Sequence, residues 1–363
     1  MNSTEDERLP LTLLTGFLGS GKTTLLNRLL QHPGLSDTAV IINEFGEIGL
    51  DHLLVDHVSE NLRVLNSGCL CCTVRGDLIE TLGGLESRRA RGEIRFSRVI
   101  VETTGLADPA PVLHTLMVEP GITRAFRLAG VVTTVDAVNG AASLDRHREA
   151  LKQAAMADVL LLTKTDIAVP AQVAVLLERL QAINPGAAQL NVVDGELAPE
   201  VLLACEQAGA AADLRLAFDD EVGASHDGHH AHHAHHAHHA HHAHSHPHDL
   251  NRHDDHIRAH CFVVDAPVAE AAFTQWLALM AAMRGDQLLR VKGLVWTHER
   301  PDEPLVVHGV QHVFHPPQRL AAWPTAGRRT QLVFITDELD RAEIARTFLK
   351  FAGLSPAAAS AMT

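Results

Sequence analysis

Residues 9–30 read Leu9-Pro10-Leu11-Thr12-Leu13-Leu14-Thr15-Gly16-Phe17-Leu18-Gly19-Ser20-Gly21-Lys22-Thr23-Thr24-Leu25-Leu26-Asn27-Arg28-Leu29-Leu30. The apolar run to Thr15 predicts a buried strand, the glycines a tight turn, and the stretch from Lys22 to Leu30 a helix. Gly16–Thr23 fits G-x-x-x-x-G-K-[ST] in full, in the strand–turn–helix context that a phosphate loop requires. Glycines let backbone N–H groups wrap phosphate oxygens, and the helix N-terminus adds partial positive charge. The expected nucleotide-binding residues are Gly16, Gly19, Ser20, Gly21, Lys22, Thr23 and Thr24. Lys22 would reach the β- and γ-phosphates, and the Thr23 hydroxyl would bind Mg²⁺.

Outward from this loop, short apolar runs alternate with helical patterns. Thr38–Ile42, Val99–Val101, Val131–Val135 and Val159–Leu162 read as further strands, and Val173–Ile183 as a helix. Such alternation predicts α/β architecture: a mostly parallel, doubly wound sheet covered on both faces. Ligands of such sheets bind beyond the strand carboxyl ends, so chemistry is sought in the following loops. Past residue 256 the pattern changes. Ile257–Val264, Leu288–Trp296, Leu305–Val310 and Gln331–Ile335 read as strands, and Val268–Met283 and Glu338–Phe351 as helices. A small C-terminal α+β domain is expected, one antiparallel sheet with helices on one face. The boundaries expected are 1–220, a linker at 221–256, and 257–363.

Two strand ends carry acids. Glu102, in Val101-Glu102-Thr103-Thr104-Gly105, suits a Mg²⁺–water ligand beside the γ-phosphate. With Lys22 and Thr23 it forms the expected catalytic set. Thr163-Lys164-Thr165-Asp166 follows the strand 159–162. The Asp166 carboxylate would accept from the ring N–H and the exocyclic amine of guanine, which adenine does not offer in that arrangement. Lys164 would pack its stem over the base. The expected nucleotide is therefore GTP.

Three of the five cysteines fall within four positions, Gly68-Cys69-Leu70-Cys71-Cys72. Thiolates at that density are soft ligands suited to zinc or copper(I). Cys69, Cys71 and Cys72 leave a tetrahedral ion one ligand short, and such a site can exchange its metal, unlike closed structural sites. Arg75 nearby would lower the thiol pKa values. A redox dithiol and buried structural cysteines are the alternatives; Cys205 and Cys261 read as small core residues. Asn43–Asp51 follows the second strand, where a γ-phosphate-sensing switch would sit. Its Glu47 is a candidate fourth metal ligand.

With a formal charge of −14, a nucleic-acid footprint is not expected. No apolar stretch approaches the roughly 20 residues of a membrane span, and the polar, acidic Met1–Arg8 lacks the features of a signal peptide. A cytoplasmic setting is expected, where clustered thiols more often bind metal or do catalysis than form disulfides. From His226 to His260 lie 17 of the 26 histidines, many in a His-His-Ala repeat. The repeat has no consistent apolar face and is expected to be a disordered linker. Its mostly neutral imidazoles would capture zinc weakly and multivalently. His114, His308, His312 and His315 read as structural or surface residues.

The combination Gly16–Thr24, Asn43–Glu47, Gly68–Thr73, Glu102–Pro109 and Thr163–Asp166, with Gly309–His315 near the C-terminus, resembles the CobW-type metallochaperone GTPases over nearly the whole chain. The resemblance implies GTP hydrolysis to GDP and phosphate, coupled to delivery of zinc from Cys69, Cys71 and Cys72 to client metalloproteins. It also implies a C-terminal domain that docks clients. A cobalt chaperone for cobalamin synthesis and a passive zinc buffer are the alternatives. A metal- or nucleotide-dependent homodimer is a further expectation. One position departs from the usual GTPase pattern: Thr163 stands where Asn is common.

Overall fold

In the computed structural model, which describes residues 7–45, 62–67, 73–199, 201, 256–315, 318–324 and 327–354, the segment Leu9–Gly16 forms strand β1, buried over nearly its full length. The phosphate-loop turn leads into α1 (Lys22–Leu30). The chain then forms β2 (Thr38–Phe45), β3 (Leu62–Ser67), α2 (Thr73–Ala90), β4 (Arg98–Glu102), α3 (Pro109–Val118) and the single turn α4 (Pro120–Thr123). It continues through β5 (Phe126–Asp136), α5 (Gly140–Arg146), α6 (Arg148–Ala155), β6 (Val159–Thr163), α7 (Pro170–Ile183) and β7 (Ala188–Val192). The seven strands pair in parallel in the order β3-β2-β4-β1-β5-β6-β7.

Alternate residues of β1 face opposite layers, as the two-residue period of a strand dictates. Leu11 and Leu13 pack with Leu82 of α2, Leu113 of α3 and Leu180 of α7. Leu14 packs with Leu25, Leu26 and Leu29 of α1 on the other face. The doubly wound α/β expectation therefore holds. The strands β3 and β7 go beyond the sequence reading, which also leaves α2 to α6 without bounds.

The C-terminal unit contains β8 (Ile257–Val264), α8 (Glu270–Arg284), β9 (Leu288–Val295), β10 (Leu305–Val310), β11 (Val313–Phe314), β12 (Gln318–Arg319), β13 (Thr330–Asp337) and α9 (Arg341–Ala352). Its sheet is antiparallel throughout, in the order β11-β10-β9-β13-β8, with β12 also on β10. One face packs on α8 and α9 through Phe262, Phe273, Trp276, Phe334 and Phe348, whose rings meet edge-on or tilted. The opposite face presents Leu289, Leu294, Val310, Val333 and Ile335, which join the core of the N-terminal unit. Helices of the first unit, α6 among them, are thus held between two sheets. Every residue of β9 is buried for that reason. No helix among the described residues is long and apolar enough to cross a membrane.

Candidate functional site

Sheet order sets β1 between β4 and β5, so the turn after β1 has Glu102 on one flank and Asp136 on the other. Gly16 has φ 142°, and a Cβ there would lie 2.3 Å from Thr134 Oγ1. No other residue fits that position. The Ser20 and Thr134 hydroxyls are 2.7 Å apart and fasten the turn to β5. Gly21, left-handed at φ 90°, caps α1. Buried Lys22 curls back over the loop, its Nζ donating to Gly16 O at 2.9 Å and Phe17 O at 3.2 Å. Thr23 Oγ1 donates to Glu102 Oε1 at 3.2 Å, and that carboxylate is buried. A hydroxyl beside a carboxylate at the start of an anion-binding helix is a suitable donor set for an oxygen-loving divalent ion. A cavity of about 550 Å³ opens here, lined by Gly21, Lys22, Thr23, Glu102, Gly105 and Lys164 among others.

The loop after β6 is tied to the phosphate loop by two contacts. Thr163 Oγ1 donates to Ser20 O at 2.8 Å. Lys164, left-handed at φ 60°, reaches Gly19 O at 2.8 Å and Asp136 Oδ2 at 2.7 Å. Threonine at this position thus ties the two loops together through its hydroxyl. Burial works to raise the Asp136 carboxyl, but Lys164, the Asn139 amide and the Asn139 and Val138 N–H groups outweigh it. The carboxyl is held below its ordinary value. Asp166 is exposed in the turn that follows, free of the core. Asp136 and Asn139 escape the sequence reading; an acid closing the strand Val131–Val135, three residues before an Asn, is the signal that marks them.

The loop after β4 carries Thr103-Thr104-Gly105-Leu106-Ala107-Asp108. Thr103 is fixed to β1 through its N–H to Leu14 O at 2.9 Å and its hydroxyl to Thr15 Oγ1 at 2.8 Å. Gly105 lies directly on the phosphate loop: a Cβ there would be 2.7 Å from the Leu18 nitrogen. Asp108 caps α3, accepting from Ala110 N at 2.9 Å.

Lys22, Thr23, Glu102, Gly16, Gly19, Ser20, Gly21, Thr24 and Lys164 are thus brought together. Glu47, Cys69, Cys71, Cys72 and the histidine tract through His253 lie outside the described residues. The last histidine of the tract, His260, belongs to β8: it is buried, and its Nε2 meets Leu339 O at 3.0 Å. It is a sheet residue, whatever the tract before it binds. Arg75, expected to act on the thiols, is exposed on α2 and lies 3.9 Å from Glu119.

Comparison with known proteins bears on this arrangement. Residues 10–191 match the CobW/HypB/UreG nucleotide-binding domain, and residues 257–352 match the cobalamin synthesis protein CobW C-terminal domain. The zinc chaperone YjiA of Escherichia coli (strain K12) is 30% identical over 340 residues, covering 94% of this chain and 98% of the relative. The zinc chaperone CobW of Pseudomonas aeruginosa is 32% identical over 373 residues, covering 93% and 90%. The crystal structure of the Zn(II)-bound YjiA GTPase from E. coli superposes with a TM-score of 0.67 at 26% identity, covering 97% of this chain and 99% of that one. The two domain matches cover the phosphate-loop unit and the antiparallel C-terminal sheet, and the similarity to YjiA runs over nearly the whole chain: the chain belongs to the CobW/HypB/UreG family of P-loop GTPases.

Proposed function

We propose that the protein is a zinc chaperone that uses GTP hydrolysis to pass zinc from Cys69, Cys71 and Cys72, with Glu47 as a fourth ligand, to client metalloproteins. One observation carries the coupling of metal to nucleotide. β3 runs parallel to β2, with Ser67 beside Phe45, and β2 in turn sets Ile42 beside Glu102. Ser67, the residue before the thiol segment, therefore ends on the sheet edge that carries Glu102 and the phosphate loop. Thr73, the residue after it, opens α2. The relatives' names support zinc as the cargo.

In this reading Lys22 and the loop N–H groups bind the β- and γ-phosphates, and Thr23 and Glu102 hold Mg²⁺, which neutralises charge on the transferring phosphoryl group. Lys164 covers the base and Asp166 selects guanine. GTP orders the switch segments and the thiolates hold zinc; hydrolysis releases the switch and lowers the affinity. The tract from His226 to His260 loads the site as a weak zinc reservoir, apart from His260 itself.

The test is GTP turnover with and without stoichiometric zinc, in the natural protein and in a Cys69/Cys71/Cys72→Ser variant. Zinc is expected to change turnover only where the cysteines are present. Equal turnover in all four conditions would replace this reading with that of a passive zinc buffer. A response to Co²⁺ and not to zinc would make cobalt the cargo.

A further inference from the structure

Helix α6 is only eight residues long, yet it touches three parts of the molecule. At its start, His147 stacks on Phe17 of the phosphate loop, ring centroids 4.4 Å apart and planes 27° from parallel. In its middle, Gln153 is 1% exposed, and its amide Nε2 donates to Gly105 O at 3.1 Å and to Ala107 O at 2.9 Å. Its neighbour Lys152 pairs with Asp108 at 2.5 Å. The loop that carries Gly105 is therefore clamped between Leu18 of the phosphate loop and the side chains of α6.

The same helix is bolted to the C-terminal domain at both ends. Arg148, its first residue, pairs with Asp337 at the end of β13. Three residues past its last, Asp158 is fully buried and pairs with Arg290 and Lys292 of β9. Its second oxygen accepts from Val131 N at 2.7 Å. The strand β6, which follows Asp158 directly, ends at Thr163, whose hydroxyl donates to the phosphate loop at Ser20 O. A shift of the C-terminal sheet cannot leave α6 in place without breaking one of these ion pairs.

We propose that Gln153 is a positioning residue for GTP hydrolysis: it fixes the Gly105 loop against the γ-phosphate position and transmits to that loop the placement of the C-terminal domain. A partner seated on the C-terminal domain would then tune turnover without touching nucleotide. The proposal requires the GTPase chemistry alone, so it stands or falls independently of zinc delivery. GDP has no γ-phosphate and does not need the loop, which separates positioning from mere support of the fold.

The test is steady-state phosphate release, together with binding of a fluorescent GDP analogue, for Gln153→Met, Asp337→Asn and the double variant of the full chain. Q153M keeps the volume and removes both donors. It is expected to lower kcat about tenfold, the scale of two lost hydrogen bonds, with GDP affinity unchanged within twofold. D337N should lower kcat about threefold, and the double variant should be no slower than Q153M alone, because both act through one helix. If GDP affinity falls in step with kcat in Q153M, the role is structural and the proposal fails. If D337N turns over at the natural rate, or the double variant shows the product of the two losses, the link to the C-terminal domain is overturned. Should Q153M not fold, Lys152→Met reads the same loop through Asp108 and must show the same split between kcat and GDP affinity.

Discussion

Thr163 shows how one hydroxyl holds two loops in register. Its Oγ1 donates to Ser20 O and also lies 3.3 Å from Val135 O, so it joins the loop after β6, the phosphate loop and β5. Thr163→Val preserves the shape and leaves the buried Ser20 carbonyl without that donor, at a cost of about 1–3 kcal/mol. GDP affinity, measured by titration, should weaken about tenfold, with guanine still preferred over adenine because the base contact proposed for Asp166 is untouched. Gly105 gives the complementary case. In Gly105→Ala the new Cβ meets the Leu18 backbone at under 3 Å, and backbone cannot swing aside as a side-chain tip can. The loop after β4 must lift away, so kcat should fall at least tenfold, while GDP, which leaves the γ-phosphate position empty, should still bind. Equal loss of GDP binding would mean that the phosphate loop itself had moved.

At the scale of elements, the cation pair in β9 determines how the two sheets are joined. Arg290 and Lys292 alternate along a strand that is otherwise apolar, so both face the N-terminal unit, where Asp158 receives them. Burial works to raise the Asp158 carboxyl, but Arg290 and Lys292 more than reverse it and keep it ionised. Breaking such a buried pair from one side costs about 3–5 kcal/mol, because it strands charge in a dry interior. Asp158→Asn should therefore lower stability by that order in urea denaturation, whereas Arg148→Gln, at the exposed rim, should cost under about 1 kcal/mol. Leu288–Trp296 is readable as a strand from its apolar run, but the partner of its two cations is not, since Asp158 lies 132 residues from Arg290. For a similar reason β3, α2 and β7 escape the sequence. Leu62–Ser67 alternates apolar with polar residues only as far as Val64, and Leu65 and Asn66-Ser67 break the pattern. α2 carries Gly76, Gly83 and Gly84, which weaken its helical pattern. β7 is an edge strand, half-exposed along most of its length. The phosphate loop is legible because its chemistry is local; Gln153 and Asp158 are not, because each acts on residues that only the folded sheet brings near, and of the partners of Asp136 only Lys164 is brought by the fold.

For the whole molecule, the seam between the domains makes stability depend on pH. The rings of His308 and His315 meet there at a tilt of 45°, centroids 4.8 Å apart. Burial and then Arg290 push both toward the neutral form, His308 well below its ordinary value and His315 to about 4; Lys292 and Arg8 act the same way, and Asp158 opposes them. Burial also lowers His260 in β8. In the unfolded chain these rings take up protons near pH 6.5. Between about pH 6.5 and 4 the unfolded state therefore binds more protons, and stability falls as the pH falls. With His315 at about 4 in the fold, its share is roughly 3 kcal/mol lost by pH 4. The depressed carboxyl of Asp136 acts with the same sign but only below its unfolded value near 4, so it leaves the window above to histidine. His312 acts oppositely: Asp286 and the Ala281 carbonyl raise it, so its contribution is complete below pH 6.5 and is lost as pH rises through its raised value. Urea denaturation from pH 7 to 4.5 should show a steady decline that is shallower in His315→Gln, which cannot take the proton in either state. A profile flat over that range, or one unchanged by His315→Gln, would mean that the interface admits water and that the rings titrate alike in both states.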